Sequence, residues 1–184
     1  MSDNITRASK FLAYVLRHDP ASIGLTHGDG GWVPVGELIS AAERYGRKLD
    51  AATIDAVLAA PGKKRYETRD GLIRAAQGHS VPVDLGLEPV QPPTVLYHGT
   101  VARFLDGIFA DGLRPGSRTH VHLSADTQTA TTVGARRGKP IVLVVDSAAM
   151  SADGHEFFQA SNGVWLTKHV PPAFLSFDGA GRAQ

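Results

Sequence analysis

Four prolines in twelve residues (Pro82, Pro89, Pro92 and Pro93) interrupt the chain near its middle, within a stretch of little hydrophobic period. Proline fixes φ and removes a backbone donor, so no long helix or central strand can cross this stretch. We read the stretch as a linker between two lobes and place the boundaries at 1–81, 82–93 for the linker, and 94–184. A total of 184 residues is enough for two small cores.

The two sides of the linker differ in pattern. Phe11, Leu12, Val15 and Leu16 recur at helical spacing, and Asp19-Pro20 ends the run. Gly28 to Gly31 is a turn and Trp32-Val33 a short strand. Val35, Leu38, Ile39 and Ala42 mark a second helix. Asp50 is placed to N-cap a third, with Ile54, Val57 and Leu58 on its inner face. Arg65 to Ala75 predicts a hairpin turning at Asp70-Gly71. Helices followed by a hairpin is a winged-helix-like order. Beyond the linker, strands are expected at 95–98, 120–124, 141–146, 156–159, 164–167 and 174–177, with helices at 101–110 and 127–137. The fold class is α+β, and the tail Asp178–Gln184 is expected to fray.

Composition narrows the function. There is no Cys, which excludes disulfides and thiolate metal sites. The net charge of +1 argues against a protein that coats nucleic acid. No apolar run reaches membrane-spanning length, and Met1-Ser2-Asp3-Asn4 lacks a signal-like region, so we expect a cytoplasmic protein. Residues 63–74 hold five basic and two acidic side chains. Such a patch suits recognition of one or a few phosphates, although charge alone fits a solvated hairpin face better.

Two strand-like runs carry imidazole and hydroxyl groups where a core strand would carry aliphatics: Leu96-Tyr97-His98-Gly99-Thr100 and His120-Val121-His122-Leu123-Ser124. A glycine there lets a ligand approach the backbone, and its N–H and C=O could pair with a planar carboxamide. Arg118 is expected near the mouth of the same cleft. Arg17-His18, at the end of the first helix, is either a charge–dipole cap or an anion site. Gln77 to Ser80 is a polar turn without a packing purpose, which either lines a cleft or holds the linker. Neither a G-x-G-x-x-G fingerprint nor a P-loop is present. The second lobe holds a single Glu, Glu156, which makes two-carboxylate glycoside hydrolysis a poor fit. His120 and His122 share a strand face, but with no carboxylate near in sequence we expect no metal site.

Taken in order, several motifs resemble the NAD-dependent RNA 2′-phosphotransferases. They are Leu16-Arg17-His18-x-Pro20, Lys64-Arg65-Tyr66, Ile73-Arg74-Ala75-x-Gln77-Gly78-His79-Ser80, Tyr97-His98-Gly99-Thr100, Arg118-x-His120-Val121-His122-Leu123-Ser124, Val164-Trp165-Leu166-Thr167 and Val170-Pro171-Pro172. The resemblance runs from about residue 8 to 177. Tyr66 stands where the pattern expects Phe.

The resemblance implies a winged-helix-like RNA lobe and an ADP-ribosyltransferase-like NAD lobe. It implies a two-step reaction on RNA, tRNA or other, that carries an internal 2′-phosphate. The phosphate displaces nicotinamide from NAD to give an ADP-ribosylated RNA phosphate. The ribose 2″-hydroxyl then attacks phosphorus, releasing 2′-OH RNA and ADP-ribose 1″,2″-cyclic phosphate. By motif matching, Arg17, His18, Arg65 and Arg118 serve phosphate binding and transesterification. His98, Gly99, Thr100, His122 and Ser124 bind NAD, and His120 has a supporting role. Val164 stands where protein-modifying relatives of this superfamily carry a Glu. The alternative is ADP-ribosylation of terminal RNA or DNA phosphates, and a catalytically idle RNA-binding or NAD-sensing module is a third class. A monomer is expected.

Overall fold

The computed structural model describes residues 3–62 and 64–177. Lys63 of the basic run and the tail expected to fray lie outside them. The chain divides into two compact units, one ending at Gly86 and the other beginning at Leu87. Both are mixtures of helices and small antiparallel sheets. Among the described residues no helix is long and apolar enough to cross a membrane.

In the first unit, α1 spans Asp3–Arg17, followed by β1 (Val33–Pro34), α2 (Val35–Arg44), α3 (Ala51–Ala59), β2 (Tyr66–Arg69) and β3 (Leu72–Ala75). The strands lie in the order β1-β3-β2. Asp19 and Pro20 end α1 by starting a 3-10 turn, in which the Asp19 carboxylate accepts from the Ser22 N–H at 3.0 Å. Asp50 caps α3 by accepting from the Thr53 N–H at 2.7 Å. The hairpin closes through Asp70 (φ 48°) and Gly71 (φ 75°), the left-handed pair that matches strand twist. Tyr66 then pairs with Ala75 and Arg69 with Leu72. Leu12, Val15, Leu16, Leu38, Ala41 and Ile73 are fully buried together, while Phe11, Ile39 and Leu58 lie at the core margin.

In the second unit, β4 (Leu96–Thr100) is followed by α4 (Leu105–Asp111), β5 (Val121–Leu123), α5 (Thr127–Gly134), β6 (Ile141–Val145), α6 (Ser147–Ala152), β7 (Phe158–Gln159), β8 (Trp165–Thr167) and β9 (Leu175–Phe177). Two three-stranded sheets form, β4-β6-β9 and β5-β8-β7. They are joined where Tyr97 and Ser124 exchange backbone hydrogen bonds of 2.9 and 2.8 Å. Each expected strand is present, most of them shorter by a residue or two. The expected helices begin or end in 3-10 turns, Ala102–Phe104 before α4 and Ala135–Arg137 after α5. α6 was not foreseen: six residues carry too little period, and the Asp146 carboxylate that caps it at Ala149 N–H (3.0 Å) reads equally as a loop residue.

Candidate functional site

β4 and β5 together wall one cleft of the second unit. Its volume is about 540 Å³, and its lining includes His98, Gly99, Thr100, Arg118, His120 and His122. The His98 imidazole sits 3.2 Å from the His122 carbonyl through Nδ1. A carbonyl accepts, so His98 Nδ1 carries the hydrogen. Burial lowers the His98 pKa, and the charges of Arg137 and Arg118 push the same way against that bond. His98 is therefore neutral near pH 7, with Nε2 as a lone-pair acceptor. The Arg118 Nη1 lies 3.3 Å from His122 Nδ1. A guanidinium only donates, so Nδ1 accepts and the His122 ring proton is on Nε2. Arg118 and His98 thus both bond His122, one at its ring and the other at its backbone carbonyl. His120, with Nδ1 3.1 Å from Thr119 Oγ1, rests edge-on against Phe158.

Gly99 has two roles, and the first differs from the expected one. A Cβ on it would overlap the Ala130 carbonyl oxygen and lie 2.8 Å from Gly134 N. Its missing side chain makes room for α5 rather than for a ligand. Its backbone polar groups are a separate matter. N–H and C=O groups alternate between strand edges. Tyr97 turns its pair toward Ser124, so Gly99, two residues on, turns its pair to that same edge, away from β6. Thr100 is buried beside it. Ser124, just past β5, exchanges backbone bonds with Tyr97.

The lining also gathers Arg114, Arg136 and Arg137, making four guanidiniums with Arg118, against the single carboxylate of Asp111. Burial lowers the Arg118 pKa, and so does the proximity of Arg137 and Arg136. Four guanidiniums lining one cleft make it electropositive. Arg137 also lies over the Phe104 ring, 5.7 Å from its centroid. Sequence reading missed Arg136 and Arg137. Their signal was two arginines closing the predicted helix 127–137, which reads first as a charge–dipole cap.

In the first unit, the end of α1 brings Arg17, His18 and Arg65 together. Arg17 Nη2 donates to the Arg65 carbonyl at 3.2 Å. The Tyr66 hydroxyl donates to the Ser9 carbonyl at 2.6 Å, which gives the tyrosine a use that phenylalanine lacks. Burial raises its pKa, while the charges of Arg17 and Arg65 oppose the rise. The Gln77–Ser80 turn does have a packing purpose. His79 is 1% exposed, and the Ser80 N–H donates to the Arg17 carbonyl at 2.8 Å. Arg74 is structural: it bonds the Glu67 carboxylate and the Gly30 and Leu85 carbonyls, and its Cζ lies 4.5 Å from the Trp32 ring centroid. Val164 is buried beside Ala160 and Leu166.

Known proteins match this chain along most of its length. The model of the "RNA 2'-phosphotransferase, Tpt1 / KptA family" matches residues 3–169. A protein of Agrobacterium fabrum (strain C58) named "Probable RNA 2'-phosphotransferase" is 54% identical over 181 residues, spanning 97% of each chain. One of the same name from Streptomyces coelicolor is 51% identical over 175 residues, 95% of this chain and 96% of its own. Another, from Pectobacterium carotovorum, is 55% identical over 170 residues and 91% of each chain.

Proposed function

The chain belongs to the RNA 2′-phosphotransferase, Tpt1 / KptA family, and on that premise we propose that it removes an internal 2′-phosphate from RNA with NAD as co-substrate. The observation that carries the reading is the cleft of the second unit, where Arg118 and His98 both bond His122 and three further guanidiniums line the walls. Helices followed by the β1-β3-β2 hairpin sheet support a winged-helix-like RNA lobe. The paired small sheets of the second unit support an ADP-ribosyltransferase-like lobe.

The residues present fit NAD. About 540 Å³ lies in the range of ligand clefts. The N–H and C=O of Gly99, on one strand edge, suit a carboxamide. Neutral His98 would accept from a ribose hydroxyl at Nε2; His122 and Thr100, which line the cleft, and Ser124, by motif matching, complete the NAD set. Arg136 and Arg137 suit a pyrophosphate, because a fixed guanidinium fork matches phosphate oxygens. Bound NAD supplies an anomeric carbon from which nicotinamide departs. The resemblance assigns Arg17, His18 and Arg65 of the first unit, and Arg118 of the second, to binding the RNA phosphate, where fixed cationic donors would stabilise the charge that builds on its oxygens in the second step. An RNA phosphate is already an anionic nucleophile, so the absence of a Glu at Val164 costs this reaction nothing.

Mass spectrometry of the protein with NAD and a short RNA bearing one internal 2′-phosphate tests the reading. The expected products are 2′-OH RNA, nicotinamide and ADP-ribose 1″,2″-cyclic phosphate. RNA that gains a stable ADP-ribose would show a reaction halted after the first step. Unchanged substrates would sink the enzymatic reading and leave a binding module.

A further inference from the structure

His18 lies one residue past α1 and is exposed. An imidazole at such a place ordinarily samples several rotamers. The Gln77–Ser80 turn converges on it. Ser80 Oγ is 2.9 Å from His18 Nδ1. The Ser80 backbone N–H holds the Arg17 carbonyl at 2.8 Å. Gly78, at φ +89°, brings the turn against the Arg17 side chain, since a Cβ there would sit 3.8 Å from Arg17 Cδ. His79 buries its ring in the unit, so the turn is anchored immediately before the hydroxyl.

We propose that Ser80 is a positioning residue for His18, a role that rests on the reading of His18 as a contact to the RNA phosphate. A hydroxyl both donates and accepts, so the bond to Nδ1 survives either protonation state of that nitrogen. When Ser80 donates, the ring proton sits on Nε2, which becomes the donor for a phosphate oxygen. Ser80 thereby sets the ring's orientation and presents one nitrogen to substrate without touching substrate itself. The same residue ties down the carbonyl of Arg17, so the two adjacent phosphate contacts are held by one turn.

Ser80→Ala deletes the hydroxyl and keeps the backbone N–H, while Ser80→Thr keeps both. In the full-length protein, with 2′-phosphorylated RNA and NAD, Ser80→Ala is expected to lower kcat roughly five- to tenfold. The KM for NAD stays unchanged, and Ser80→Thr recovers the rate. In a His18→Ala background, Ser80→Ala adds a loss of less than about twofold. Imidazole ¹⁵N spectra read the contact apart from turnover. The His18 Nδ1 resonance of the native protein reports the bond to the hydroxyl, shifts in Ser80→Ala, and returns in Ser80→Thr. A loss that threonine fails to recover, a multiplicative loss in the double variant, or His18 resonances indifferent to Ser80→Ala would each overturn the proposal. Full activity of His18→Ala alone would overturn the underlying reading of His18, a result the Ser80 variants play no part in.

Discussion

Gly99→Ala adds one methyl group where β4 and α5 meet. The new Cβ would overlap the Ala130 carbonyl oxygen, lie 2.7 Å from the Ala130 carbonyl carbon and 2.8 Å from Gly134 N. All three are backbone atoms, so no rotamer change relieves the contact. α5 must instead move away from the strand by roughly 1 Å or more to restore ordinary van der Waals separation. Overpacking of this kind costs about 1–3 kcal/mol, and a rigid helix backbone places this case at the upper end. At about 2–4 °C per kcal/mol for a chain of this size, the melting temperature should fall by roughly 6–12 °C. Thermal unfolding followed by circular dichroism measures it. Ala130→Gly, added as a second change, should not rescue the variant, because the atoms struck belong to the backbone and not to the Ala130 methyl. Function should suffer too, since α5 runs into the turn that carries Arg136 and Arg137. A melting temperature within about 2 °C of the native value, or rescue by Ala130→Gly, would refute the argument.

Arg137→Ala should raise the KM for NAD about tenfold or more, as loss of a charge-assisted contact implies, and make it less sensitive to salt; steady-state kinetics at two ionic strengths checks this, and an unchanged KM removes Arg137 from the cofactor set. Arg74→Lys should cost about 2–3 kcal/mol, because one ammonium cannot replace a fork that serves Glu67, two carbonyls and the Trp32 face; a urea midpoint equal to the native one would contradict this. His79 has its pKa lowered to about 4, by burial first and then by the charges of His27, Arg17, Arg74 and His18. The unfolded chain therefore binds a proton that the folded one refuses. The stability tied to neutral His79 is complete above pH 6.5 and is lost as pH falls through about 4, a loss of up to roughly 3 kcal/mol. Urea titrations at pH 7 and 4.5 should show a smaller difference for His79→Phe than for the native protein, and an equal difference would refute the assignment. Burial shifts His27 and His98 the same way, so part of the acid sensitivity remains in that variant.

Features whose cause is local were legible before any fold was in view. The hairpin is one: Asp70-Gly71 takes left-handed φ values that few other pairs tolerate, so the dipeptide names the turn and the turn sets the register. The Asp50 cap and the stop at Asp19-Pro20 are others, each a matter of a few consecutive residues. Ordered motifs pointed to the family without any geometry, because a run of short patterns in sequence order is specific where each alone is weak. What stayed hidden depended on partners distant in the chain. Arg136 and Arg137 read as a helix end, and only the packing of α5 on Gly99 turns that end toward His98 and Arg118. Gly99 itself was expected to admit a ligand, whereas its missing Cβ admits a helix.

By itself, then, the sequence pointed to two lobes, the local elements within each, and where imidazole, guanidinium and hydroxyl groups cluster along the chain. Tertiary structure alone decided that Ser80 reaches back 62 positions to His18 and that His98 bonds the carbonyl of His122, 24 positions ahead. The reason is physical. Turn and cap preferences are set by the dihedral angles and hydrogen bonds of neighbouring residues. The orientation of an imidazole and the clustering of guanidiniums are set by what the folded chain packs beside them.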